Sequence, residues 1–351
     1  SLHDALPILK ALEAGDISNF SSDQLRALSV AAIASLTTTQ VAAITTGQID
    51  KLTVAQVQAF TTGQLEALST GQVVKLTTAQ VAGLSALQIK GLETADLAVL
   101  TTAQVQALSA TAVTALSTTQ VAAITTAQVS KLTANQVKAL TAAQVGALTT
   151  AQVGELTTEQ VNSLSATQIK LMSTADVAQL SSAQIKALTA GSVAALTTAQ
   201  IKALTTAQAD QLTAAQVSSL TAAQVTGLDT EDLAKFSSSQ LQALNATTVA
   251  ALSTAQVAAL TAKQIAAMET DDALSLTSAQ MAALTTAQVV ALTTDQVSVL
   301  TTSQLAAMTT KQVAAMETED LVSVSTEQLQ GMTSAQVASL TTKQVVALTT
   351  D

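Results

Sequence analysis

The 351-residue chain carries 24 acidic and 14 basic side chains, a formal net charge of −10, and is 48% apolar, yet it has no Trp, Tyr or Cys and only three Phe (Phe20, Phe60, Phe236). That balance excludes a nucleic-acid or anionic-lipid surface built on clustered Lys and Arg, a disulfide framework, a cysteine-based zinc site and aromatic platforms for stacking sugars or single strands. No apolar run approaches the roughly 20 residues that a membrane-spanning helix needs, so the expected core is aliphatic and thin.

In chain order, the opening SLHDALPI comes first; it holds the only His (His3) and the only Pro (Pro7). The string resembles the translation of a sequencing-adapter tail, so Ser1–Ile8 is set aside, and residues 1–11 are read as an irregular segment with no signal-peptide pattern. From Leu12 to Ala347 the chain is one eight-residue unit written 42 times without insertion or deletion. Residues 12–351 are therefore expected to form a single continuous repeat array. The last residues, Leu348-Thr349-Thr350-Asp351, stop inside a repeat, as expected of a piece of a longer polypeptide.

Aligned on the leucines, the units read LTTAQVAG (Leu76–Gly83), LTTAQVQA (Leu100–Ala107) and LSTAQVAA (Leu252–Ala259). Position one is apolar in all 42 units, position six is Val, Ile, Leu or Met in all but two (Ala209, Ala273), position two is Ser or Thr in 36 and position five is Gln in 32. In one continuous helix an eight-residue step would rotate this stripe by about 80° per unit, so no face would stay buried. In a strand, positions one and six have opposite parity and point to opposite faces, which makes a β-solenoid the poorer alternative.

A helix restarted in every octad fits. Ser/Thr at position two and Gln at position five form the S/T-x-x-E/Q capping box, and positions one and six are then N′ and N4, the partners of a hydrophobic staple. The expected fold is an all-α solenoid of short capped helices, one per repeat, because helices this short are marginal alone and must stack. Positions five, six and one should face the core, and three, four and seven the solvent. The lysines agree: Lys90, Lys138, Lys170, Lys186 and Lys202 occupy position seven, Lys263, Lys311 and Lys343 position four, and Lys51, Lys75, Lys131 and Lys235 position eight.

Six octads replace the Gln by Asp: Asp16, Asp96, Asp176, Asp232, Asp272 and Asp320. After the first four of these, the octad two units later also loses its Gln, to Ala32, Ala112, Ser192 and Thr248. This longer rhythm reads as duplication of a multi-octad cassette. Acids paired at positions two and five (Glu93 with Asp96, Asp229 with Asp232, Glu269 with Asp272, Glu317 with Asp320) are candidate calcium ligands, since calcium takes carboxylate oxygens. The structural reading, which the absence of any D-x-D-x-D-G loop favours, is that acids at N-cap and N3 stabilise a helix start.

No other chemistry is written in the repeat. Ser and Thr sit in capping slots without an orienting base, the 11 glycines are scattered singly, and no phosphate loop, dinucleotide fingerprint or zinc-helix motif occurs, so the chain is expected to be neither an enzyme nor a cofactor carrier. Met268, Met308, Met316 and Met332 at position one and Met281 at position six read as substitutes for Leu and Val in the core.

The consensus of these units, LTTAQVAALTTAQV, resembles the octapeptide tracts of very large bacterial repeat proteins, secreted or surface-attached and labelled adhesin-like or haem-utilisation proteins. The resemblance covers nearly the whole chain. It implies a structural spacer or stalk outside the cell, whose partners are the flanking domains of the same polypeptide and other cell-surface proteins or matrix. It transfers no haem ligand, since His3 is the only histidine. Two further expectations compete: a solenoid surface that binds a protein or ligand through positions three, four, seven and eight, and an ice-binding array of regularly spaced Thr.

Overall fold

A computed structural model describes residue 9 and residues 11–348; Ser1–Ile8, with His3 and Pro7, and the closing Thr349–Asp351 lie outside the described residues. The described residues form short α-helices of four to seven residues, one per octad from Ala14–Asn19 to Thr342–Leu348, with no strand among them. The capping signature thus sets the architecture, and the β alternative falls.

The helices of the glutamine octads start in the same way. In the octad Leu52–Ala59 the Gln56 amide donates to Thr53 Oγ1 at 3.2 Å, the Thr53 amide donates to Gln56 Oε1 at 2.9 Å, and the Val57 amide donates to the Thr53 carbonyl at 3.1 Å. One turn later the chain leaves the helix through two extended residues, as at Leu252 (φ −56°, ψ 137°) and Ser253 (φ −69°, ψ 158°), and the next helix begins. No described residue has positive φ, so this change of direction needs no glycine.

The chain falls into two compact units, Ser1–Gln179 and Leu180–Asp351, each an α-solenoid. Within each unit a helix packs on the helix three octads further along: Thr78–Ala82 against Thr102–Ala107 in the first, Ser278–Ala283 against Thr302–Ala307 in the second. One coil therefore takes a little more than three octads. Its core is as thin as its composition implies. Positions six and one are buried along each unit (Val57 and Phe60; Val257 and Leu260), the rare Ala209 and Ala273 are sealed in, and Met268, Met281, Met308, Met316 and Met332 take the places of Leu and Val. Positions three, four and seven lie outward.

Candidate functional site

The element that the sequence pattern did not resolve is the other half of the glutamine side chain. From Gln40 onward the position-five glutamines are buried although amides are normally left in water. The oxygen closes the capping box, and the nitrogen turns backwards to the previous coil. Gln56 Nε2 donates to the carbonyls of Leu25 (2.9 Å) and Leu28 (2.9 Å), 31 and 28 residues earlier. In the second unit Gln264 Nε2 donates to Leu233 (2.8 Å) and Phe236 (2.8 Å). These carbonyls lie at a helix C-terminus, where those of Leu25 and Leu233 accept only the amide of the exit residue, Leu28 or Phe236. One side chain thus satisfies the N-terminus of its own helix and the C-terminus of another.

The octads of Asp96, Asp176 and Asp272 keep the first function and lose the second; at Asp232 and Asp320 the capping box does not close either. The Glu93 amide donates to Asp96 Oδ2 at 3.2 Å, the Ser173 amide to Asp176 Oδ2 at 3.0 Å and the Glu269 amide to Asp272 Oδ2 at 3.4 Å. A carboxylate has no hydrogen to offer the carbonyls behind it. Partial compensation comes from position three of the neighbouring coil, where Thr150 Oγ1 donates to Asp176 Oδ1 at 3.0 Å and Thr294 Oγ1 to Asp320 Oδ1 at 2.8 Å.

Burial pushes Asp96, Asp232 and Asp320 above the usual carboxylate range, although the Thr206 and Thr294 hydroxyls hold the last two down. Asp272 is pushed up to about 6, by burial first and then by the charges of Glu269 and Asp271. Ala246 stands where those threonines stand, 26 residues before the aspartate, so no hydroxyl reaches Asp272.

The candidate pairs Glu93/Asp96, Asp229/Asp232, Glu269/Asp272 and Glu317/Asp320 therefore each flank one helix start rather than gathering into a shared centre. Among the described residues no set of three or more His, Cys, Asp or Glu side chains converges to hold a metal ion. No described helix is long and apolar enough to cross a membrane.

Comparison with known families finds the ALTTAQ repeat in overlapping matches that together cover residues 9–158, 225–310 and 313–350. The chain belongs to the ALTTAQ repeat family. No curated protein matches it. The six letters of the ALTTAQ repeat run from position eight of one octad to position five of the next, so they span the helix exit, the first residue of the staple, the cap and the clamping glutamine. The segment between the matched stretches carries the same device: in Leu196–Ala203 (LTTAQIKA) the Gln200 amide donates to Thr197 Oγ1 at 3.2 Å and the Thr197 amide to Gln200 Oε1 at 2.8 Å.

The ALTTAQ glutamine had a signal in the sequence. A capping box accepts Glu or Gln, and Glu favours a helix N-terminus through its charge, yet position five is never Glu. Burial disfavours a carboxylate at position five, and the amide hydrogens given to the previous coil add to the preference for Gln.

Proposed function

We propose that this ALTTAQ array is a non-catalytic spacer, a stalk that holds other modules of a large bacterial cell-surface or secreted polypeptide apart. The observation that carries the reading is the clamp. The same amide-to-carbonyl bridge joins coil to coil in both units, so tension along either solenoid is carried by repeated backbone–side chain–backbone hydrogen bonds rather than by loops. A repeat defined by its joints can change in number without change in structure, which is what a spacer requires. Its neighbours are then the flanking domains of the same polypeptide and, beyond them, surface proteins or matrix, and the outward positions three, four and seven serve hydration.

The test is to measure end-to-end distance in solution by small-angle scattering, for the full chain and for variants lacking four, eight or twelve whole octads of the second unit. A spacer gives a length falling in equal steps with octad number, each variant melting cooperatively. A length that does not follow octad number would defeat the reading. Immunodetection on intact cells of the source organism tests the placement outside the cell, and signal only after lysis would overturn it.

A further inference from the structure

We propose that the array contains built-in yield points: residues 92–115 in the first unit and 228–251 in the second part from the coil behind them more readily than the glutamine octads do. In an ordinary stretch every octad sends an amide backwards. Gln120 donates to Ile89 and Leu92, Gln128 to Leu97 and Leu100, and Gln136 to Val105 and Leu108. In residues 92–115 position five reads Asp96, Gln104 and Ala112, so Gln104 alone reaches back, to Val74 (3.1 Å) and Leu76. In residues 228–251 it reads Asp232, Gln240 and Thr248, and Gln240 alone reaches back, to Asp210 (3.0 Å) and Leu212 (2.8 Å). The Thr248 hydroxyl is spent on its own helix start, where it donates to the Asn245 carbonyl at 2.7 Å.

The clamps are lost without loss of packing. Behind the first joint Leu65 and Val81 stay buried, and behind the second Ile201 and Val217 do, so both joints keep their apolar seal and differ from the others in their hydrogen bonds. Elsewhere within the units the loss is single. Asp272 stands between Gln264 and Gln280, and Asp320 between Gln312 and Gln328, all of which clamp the coil behind. Where stability is a sum over nearest-neighbour contacts, the interface with the fewest bonds opens first.

Parting at the first joint leaves its helices held from the other side. The Ser109 hydroxyl still caps its helix, accepting from the Ala112 amide at 3.1 Å, and Gln128 and Gln136 still tie these octads to the coil ahead. The joint therefore opens and closes without melting the coil as a whole. If the array is a stalk, on which this role rests, it gives way under load in sections and closes again.

The test is amide hydrogen exchange of the folded full chain, read by mass spectrometry and corrected for intrinsic rates. Residues 92–115 and 228–251 should exchange roughly tenfold or more faster than residues 116–139, whose three glutamines all clamp. Restoring both glutamines with Asp96→Gln and Ala112→Gln should slow residues 92–115 to the rate of 116–139 and leave 228–251 fast. Gln128→Asp with Gln144→Ala writes the same trio into residues 124–147 and should make them fast. Equal exchange along the parent, or residues 92–115 that stay fast after both glutamines are restored, overturns the proposal. The stalk reading is decided separately by the length series, so an array whose length follows octad number but which exchanges evenly loses only its yield points.

Discussion

At the scale of the residue, the ALTTAQ octad depends on one side chain having two different ends. Gln264→Glu tests this directly, because the carboxylate keeps the acceptor for the Thr261 amide (2.7 Å in the parent) and removes the donor to Leu233 and Phe236. The variant should lose about 2–4 kcal/mol at neutral pH, the cost of facing a buried charge with two carbonyls, of which that of Phe236 is left without a donor, measured by urea unfolding. The reverse change is Asp272→Gln, which should stabilise the chain by about 1–3 kcal/mol at pH 7. Asp272 binds its proton more tightly folded, at about 6, than in the unfolded chain at about 3.8. Its contribution is therefore fully present below the unfolded value and is lost as pH rises through about 6. Melting temperature followed from pH 4 to 7 should show this loss in the parent and a flatter profile in Asp272→Gln; parallel profiles would remove Asp272 as the cause.

At the scale of the element, each helix is too short to persist alone and is held by its cap and by its neighbours. Thr261→Ala removes the acceptor for the Gln264 amide (3.2 Å) and should cost about 1 kcal/mol, the ordinary value of an N-cap. Leu260→Ala should cost about 2–5 kcal/mol, because Leu260 is 4% exposed and a core one side chain deep has little behind it to collapse into the space. Denaturant unfolding of the two variants should rank them in that order.

This scale also shows what was legible beforehand. The cap, the staple and the inward faces were readable because they are local: Thr at position two, Gln three residues on and the aliphatic pair fix the helix start from neighbours within the octad. The partners of Gln56 at Leu25 and Leu28 were not, because they lie 31 and 28 residues away and every octad presents the same carbonyls. A strict repeat leaves the choice of partner coil to the angle between successive helices, and among the glutamine octads the pattern contains no mark that singles out one over another. The acidic pairs illustrate the same limit, since Glu269 and Asp272 can be placed on one helix start by spacing alone, whereas the missing hydroxyl at Ala246 becomes visible only when the neighbouring coil is in place.

At the scale of the molecule, equivalence of the octads makes register the one property that cannot be disturbed. Removing Leu252–Ala259 takes out a whole octad, and every glutamine beyond it still finds carbonyls 31 and 28 residues earlier, supplied now by the octad one place further back. The backbone geometry at the new junction is the same extended Leu-Ser/Thr step as before. Removing only Leu252–Ala255 instead places Gln256 directly behind Ala251, so the cap residue Ser253 is lost and the spacing between the glutamines and the carbonyls behind them shifts by four residues wherever the pair straddles the cut. Four residues turn a helix by about 400°, not a whole octad step, so the aliphatic stripe on one side of the cut no longer meets that on the other. The eight-residue deletion should keep the helical circular dichroism per residue and a cooperative melt within a few degrees of the parent. The four-residue deletion should split the melt, because stability in a solenoid is a sum over nearest-neighbour contacts and a broken joint uncouples what lies on either side. If both deletions melt alike, the clamp between coils is not what holds the array in register.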